Sequence, residues 1–290
     1  ANGGLWIRVS ELPLTIGTGT FYAHNSSGTI ILNVAGNAWG TMDVASGTVR
    51  TEVPGAFPPA STVQMNTSTT IDINGNDQTI GQLKNANANV GSRTVTSAAP
   101  ATLTINQSAT SYFDGVLSGA LALVKDGAGT LTLSNTVNTL SGPVTVRGGT
   151  LAAFSLGAVT NVTVEGGTLS LPRANVLTNT AALSIADGGA RLALAAGVTQ
   201  TVARLYLGGV RKGRGLWGSS ASGATYTSDA HFSGNGVLFV SEGESTVWDA
   251  GGADTAFSTP ENWDFDVLPA FDGSATRSEE HTSELQSRQV

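Results

Sequence analysis

The chain has no cysteine, which excludes disulfides and thiolate metal sites. That absence suits export of an unfolded chain through an oxidising compartment, and it is also common among cytosolic proteins. Charge is sparse: 12% of the 290 residues are charged, and there are three histidines. A formal net charge of −7, without a run of Lys and Arg, argues against nucleic acid as a partner, because phosphate contacts need clustered basic side chains. Arg211, Lys212 and Arg214 form the one basic cluster, too small to reverse that balance. No apolar stretch reaches the ~18–20 residues needed to cross a bilayer as a helix, so no membrane span is expected in this fragment. Ala1 is preceded by no initiating Met and followed by no charged-then-apolar leader. Residues 1–9 already have the pattern of a strand, so the chain is read as entering in mid-domain.

What remains is glycine, 37 residues of it, spread among Thr, Ser, Asn, Ala, Val and Leu, with a near-even balance of apolar and polar residues that argues against disorder. Three segments share a template: 144–153 reads VTVRGGTLAA, 162–171 reads VTVEGGTLSL and 183–194 reads LSIADGGARLAL. With Leu131, Leu151, Leu169 and Leu192 as equivalents, the template recurs every 20, 18 and 23 residues. A period of roughly 20 residues marks a solenoid, in which each unit is one supersecondary turn. Within a unit the apolar residues alternate. Val144, Val146, Leu151 and Ala153 occupy the slots taken next by Val162, Val164, Leu169 and Leu171, then by Leu183, Ile185, Leu192 and Leu194. Alternation with Val, Thr and Ile enrichment predicts strands, and the Gly-Gly pairs supply φ > 0 at sharp corners. No segment before residue 277 has helical periodicity, so the chain is predicted to be all-β.

Four inward side chains cannot offset the entropy of ordering about twenty residues. Copies must therefore stack, and about twelve coils at ~4.8 Å would make a rod of roughly 55–60 Å. Local rules leave a competitor open: two strands joined by Gly-Gly also describe a β-hairpin with a type I′ turn. A series of such hairpins would form an antiparallel sandwich or barrel.

Residues 123–153, LVKDGAGTLTLSNTVNTLSGPVTVRGGTLAA, resemble the autotransporter-associated β-strand repeat, or passenger-associated transport repeat. Its pattern is L-x-K-x-G-x-G-T-L-x-L-S, a turn, then S/T-G-x-x-x-V-x-x-G-T-L. Leu123, Lys125, Gly127, Gly129, Thr130, Leu131, Leu133 and Ser134 match the first half. Ser141, Gly142, Val146, Gly149, Thr150 and Leu151 match the second. Leu140 stands where the family usually has an aromatic.

Weaker resemblance extends over about 70–276. Residues 70–83 resemble a preceding strand pair around an Asn-Gly corner, and 205–240 a closing segment. Residues 246–273 resemble the opening of a fresh repeat block. The resemblance implies a right-handed parallel β-helix in a large secreted or surface-displayed bacterial protein. Such passengers hold a binding or adhesive region away from the cell, and a separate C-terminal barrel, not in this chain, anchors them in the outer membrane. The repeat transfers no catalytic, cofactor-binding or metal-binding residue, and no cofactor is implied.

The expected organisation is solenoid coils over 1–95, solenoid with repeats and closing segment over 96–246, and the truncated start of another block over 247–276. Residues 277–288, RSEEHTSELQSR, are charged and helix-like. They resemble the translation of a sequencing-adapter oligonucleotide, so 277–290 is read as an assembly artefact and Glu279, Glu280, His281 and Glu284 are set aside.

Parallel β-helices also host polysaccharide lyases and hydrolases, so an enzyme or polysaccharide-binding module is the alternative reading. Those enzymes need paired carboxylates or acidic clusters that hold Ca²⁺. Here Asp72, Asp77, Asp114, Asp126, Glu165, Asp187 and Asp229 are scattered singly. Arg211-Lys212-Gly213-Arg214 reads as a solvated loop in the closing turn. His24 and His231 have no Glu or His at metal-ligand spacing, and Asp229-Ala230-His231 has no accompanying G-x-S-x-G nucleophile elbow. Gly251-Gly252-Ala253-Asp254 misses the calcium-binding nonapeptide. Asp126-Gly127-Ala128-Gly129 precedes a strand, which excludes a phosphate-binding helix N-terminus. Trp217, Trp248 and Trp263 are expected to cap the apolar interior, and the Asn-rich stretches 85–89 and 135–138 to satisfy turns. The expected role is a non-enzymatic stalk, with adhesion to host-cell, matrix or polysaccharide surfaces as the further expectation.

Overall fold

The computed structural model describes residues 6–9, 12–89 and 91–243, and beyond them 247–248, 256, 259, 262–263 and 276–277. Every named element among them is a strand. The first seven are β1 (Trp6–Val9), β2 (Thr20–Leu32), β3 (Thr41–Thr51), β4 (Thr62–Met65), β5 (Thr69–Asp72), β6 (Gln78–Ile80) and β7 (Gln82–Asn85). Then come β8 (Arg93–Asn106), β9 (Ser111–Phe113), β10 (Val116–Asp126), β11 (Thr130–Leu133), β12 (Thr139–Leu140) and β13 (Val144–Val146). The repeats continue through β14 (Thr150–Ala153), β15 (Asn161–Val164), β16 (Thr168–Leu171), β17 (Ala182–Ile185) and β18 (Arg191–Leu194). The closing strands are β19 (Thr199–Val202), β20 (Arg204–Leu207), β21 (Val210–Lys212), β22 (Gly215–Gly218), β23 (Tyr226–Thr227), β24 (Phe232–Ser233) and β25 (Val237–Val240).

Stacked parallel rungs settle the choice between coils and hairpins. One sheet runs β1-β2-β3-β5-β8-β10-β13-β15-β17-β20, and a second runs β9-β11-β14-β16-β18-β24. Registers follow the template residue for residue: Leu131 lies beside Leu151, Leu151 beside Leu169, and Leu169 beside Leu192. On the other face Val144, Val162, Leu183 and Leu205 form a continuous file. All of these side chains are buried, together with Val146, Ala153, Val164, Leu171, Ile185 and Leu194. Alternate positions such as Thr130, Thr150 and Thr168 lie side by side facing outward. Branched side chains there suit the pleated surface.

The parallel β-solenoid has about 9 turns, with coils about 21 residues apart, fewer than the ~12 expected from length at one coil per ~20 residues. Two features absorb the difference. Early coils are longer, successive rungs falling at Thr48, Thr70 and Thr94, and residues beyond β20 leave the parallel stack. At ~4.8 Å per rung the rod is roughly 40–45 Å long.

Early coils also differ in kind. β2, β3, β8 and β10 are 13, 11, 14 and 11 residues long, so each bends round a corner and serves two faces. β3, for example, pairs with β4 through 41–44 and with β5 through 47–50. The ladder between β7 and β9 is replaced by side chains. Ser111 Oγ donates to the Leu83 carbonyl at 2.7 Å, and the Asp114 amide donates to Asn85 Oδ1 at 3.2 Å.

The antiparallel alternative survives at one place. Gly208 and Gly209, both at positive φ (56° and 83°), reverse the chain so that β21 pairs antiparallel with β20. β22 then runs antiparallel to β25, which lies parallel to β19. This cap lies against the last rung through β20 and β21. Residues 246–273 and 277–288 lie almost entirely outside the described residues. Beyond Gly243, Val247–Trp248 pairs in parallel with Thr276–Arg277.

Candidate functional site: the repeat segment and its glycine corner

The segment 123–153 makes two half-coils, β10–β11 and β13–β14, each broken by a glycine corner. At these corners backbone rests directly on backbone. Gly149 has φ 59° and Gly167 φ 67°. A Cβ on Gly149 would overlap the Gly129 carbonyl and come within 2.6 Å of Gly127 O, and one on Gly167 would overlap Gly149 O. A file of Gly129, Gly149 and Gly167 therefore sets the spacing of three coils, and the G-T-L motif is the trace of that contact.

Lys125 fastens the corner. Its position in β10 faces the interior, as Val146 does in β13, and its side chain is 0% exposed. The Nζ donates to the carbonyls of Asp126 at 2.8 Å, Gly127 at 2.9 Å and Gly148 at 2.9 Å. Two belong to its own corner and the third to the next coil. Burial pulls the Lys125 pKa below the ordinary lysine value, and the Asp126 carboxylate acts in the opposite direction. All three ammonium protons are used. The sequence identifies Lys125 as a motif residue and gives it no task; the carbonyl cage is visible only once the corner is folded.

Interior amides do comparable work elsewhere. Gln200 Oε1 accepts from the Val176 and Leu177 amides at 2.9 and 3.3 Å, while its Nε2 donates to the Leu177 and Thr201 carbonyls. Asn138 Oδ1 accepts from the Leu117 amide at 2.8 Å, and its Nδ2 donates to Ser155 O at 2.8 Å, linking three successive coils. Gln78 joins Phe57 N to Val53 O in the same manner. Arg93, also 0% exposed, donates to Met65 O, to Asn87 and Asn89, and to Asp114 Oδ1 at 2.7 Å. The Asn-rich stretches thus satisfy turns, as expected, and also tie neighbouring rungs.

The scattered carboxylates have structural partners. Asp72 pairs with Arg50 at 3.7 Å and Glu165 with Arg147 at 3.0 Å. Asp77 Oδ1 accepts from the Thr102 amide at 2.7 Å, and Asp126 Oδ1 from Gly127 N at 2.7 Å. Asp229 accepts from Ser220, which holds its carboxyl below the usual range, with Arg191 assisting. Among the described residues no three His, Asp or Glu side chains converge as metal ligands. A furrow of about 440 Å³ crosses several coils, lined by Pro100, Thr102, Ala122, Ser141 and Pro143, with Asp77 as its one carboxylate.

One expectation about the cap changes. Arg211-Lys212-Gly213-Arg214 is not a solvated loop: Arg211 and Lys212 belong to β21, and the Arg214 guanidinium lies 6.0 Å from the Phe239 ring centroid. The cause is the Gly208-Gly209 reversal, which lays this stretch back along β20. His24 sits in β2 and is exposed. Trp217 is 6% exposed, stacks on Tyr226 with centroids 4.8 Å apart, and donates from Nε1 to Gly213 O at 3.0 Å. It caps the interior as expected. Trp263 is buried too; the Trp248 side chain and Gly251 to Asp254 lie outside the described residues.

Fold and corner together define a repeat protein of the parallel β-solenoid class, in which one apolar column is shared by stacked coils. Residues 123–153 match the family described as Passenger-associated-transport-repeat. A β-solenoid carrying that repeat is consistent with an autotransporter passenger, and the repeat implies secretion or surface display. No curated protein and no solved structure matches the chain. No helix among the described residues is long and apolar enough to cross a membrane.

Proposed function

We propose that this chain is a non-catalytic stalk segment of a secreted or surface-displayed bacterial passenger, which holds an adhesive or other binding region away from the cell. One observation carries the reading: the matched repeat sits in the middle of a continuous apolar column, and its most constrained polar residue, Lys125, is spent on coil-to-coil attachment. The carboxylates described above are likewise occupied in axial pairs and turns. Residues 1–95 and 96–246 are proposed as two stretches of one stalk, the second carrying the matched repeat and a closing segment. The segment 247–276 would open a further block, and 277–290 would be foreign to the fold.

The test is a passenger fusion with an export signal before the chain and an outer-membrane barrel after it. Surface staining of an N-terminal epitope is expected, and deletion of 123–153 should reduce it severalfold. Undiminished display after that deletion would remove the stalk reading. A polysaccharide-binding module is the second reading, favoured by the furrow beside Asp77. Retention on a polysaccharide affinity gel, abolished by Ala122→Trp, would establish it instead.

A further inference from the structure

The furrow beside Asp77 crosses four successive rungs. Asp77 stands just before β6, Pro100 and Thr102 in β8, Ala122 in β10, and Ser141 and Pro143 just before β13. Registers place β6 beside β8, β8 beside β10 and β10 beside β13. At ~4.8 Å per rung the furrow therefore runs roughly 14 Å along the rod. Its origin is the bend in β8 and β10. The register shifts between Gly119 and Leu121, where residues 98–100 of β8 stand against Ala120 alone, and the outward side chains beyond the bend are small.

One charged group lines this trough. Asp77 Oδ1 accepts from the Thr102 amide at 2.7 Å, and the Asp77 carbonyl accepts from the Gly55 amide at 3.0 Å. These two bonds fix the carboxylate at the rim. Asp77 is exposed, and among the described residues it forms no ion pair and its Oδ2 has no partner. Pro100, Ala122 and Pro143 supply C–H surface, with the Thr102 and Ser141 hydroxyls beside them. Ser141 Oγ donates to Gly119 O at 3.1 Å and keeps lone pairs with which to accept.

We propose that the furrow is a binding site for a polysaccharide that carries free amino groups, with Asp77 as the seat of one sugar ammonium. The inference rests on the polysaccharide-binding reading of the furrow and names the polymer. A lone carboxylate, on a chain of net charge −7, repels uronate polymers and attracts cationic ones. Sugar rings present C–H faces that suit a floor of proline and alanine. Their hydroxyls suit a few placed polar groups such as Thr102 and Ser141.

A basic peptide would bring a similar ammonium, but the furrow gives its backbone little to pair with. Pro100 and Pro143 have no N–H. The Ser141, Gly142 and Leu123 amides donate to the Gly119, Leu121 and Pro143 carbonyls at 2.9, 3.1 and 2.9 Å, and the Thr102 amide is held by Asp77. The strands also run across the furrow, not along it. An added peptide strand takes its affinity from main-chain bonds, and here those donors are spent.

The experiment is titration calorimetry of the whole chain with glucosamine, N-acetylglucosamine and galacturonate oligomers of equal length, at a mildly acidic pH that keeps the sugar amine protonated. Glucosamine oligomers should bind roughly two- to fivefold more tightly than acetylated ones, the range for an exposed ion pair. Raised salt should narrow the gap, and galacturonate should bind least. Asp77→Asn, which can still accept from the Thr102 amide, should remove the preference; Ala122→Trp should abolish binding altogether. Equal binding of the glucosamine and acetylated oligomers, both lost in Ala122→Trp, would overturn the amine assignment and keep a polysaccharide furrow. Failure of every oligomer to bind would remove both. A preference that survives Asp77→Asn would overturn the role of Asp77. Oligolysine bound more tightly than glucosamine, with the same sensitivity to both substitutions, would assign the furrow to basic peptides instead.

Discussion

Lys125 is a buried cation with no carboxylate in its cage; three backbone carbonyls carry the whole load. Removing a donor from buried acceptors costs about 1–3 kcal/mol for each group left unpaired, while the desolvation cost of the charge is recovered. Lys125→Met, close in volume, is therefore expected to lower stability by roughly 2–4 kcal/mol, read as a shifted urea midpoint. Leu151→Asp is a harsher test of the same column. It places a carboxylate between Leu131 and Leu169, where neither neighbour can pair with it, and an isolated charge has no tolerable state there. Several coils should lose amide protection together, whereas a substitution at outward Thr150 should leave protection unchanged.

At the level of the strand, the rungs from Leu123 to Leu194 are legible in the sequence because their Leu and Val slots recur at nearly constant spacing. Each slot has one inward direction, and the registers agree residue for residue. The coils before residue 106 are far less legible. Their strands bend through corners, so alternation is interrupted where the register shifts near His24, and no short template repeats; β10 carries a like shift at Gly119.

The cap is illegible for another reason. Gly208-Gly209 looks like Gly148-Gly149 on paper, and only the absence of a following rung makes it a hairpin. Likewise the contact of His231 Nε2 with Asp187 Oδ1, 3.0 Å apart, leaves no local pattern, since the fold alone brings the two together. The cap also has a consequence for association. β21 and β22 cover what would otherwise be an open strand edge, and open edges recruit other chains. Deletion of 210–243 is expected to leave the coils folded but promote oligomers, visible as early-eluting species in size-exclusion chromatography; a monodisperse monomer would contradict that protective role.

For the molecule as a whole, stability is a sum over rungs and the contacts between them, so a complete unit should be removable. Deleting residues 151–168 joins Thr150 to Leu169, whose slot Leu151 had filled. This variant is expected to fold with the same β content and a particle shorter by about one rung, ~4.8 Å, by circular dichroism and small-angle scattering. Deleting half as many residues should collapse the stack, because inward and outward faces exchange places.

In the stacked sheets the rung-to-rung hydrogen bonds point along the rod. Tension between its ends therefore loads the rungs one after another, like a seam opened stitch by stitch, instead of shearing them all at once. Each coil that yields releases about 21 residues, or roughly 70 Å of extended chain. That exceeds the length of the intact rod. A tether built this way lengthens greatly while losing only its outermost turn, and with its remaining turns still stacked it keeps a template on which the lost one can rewind.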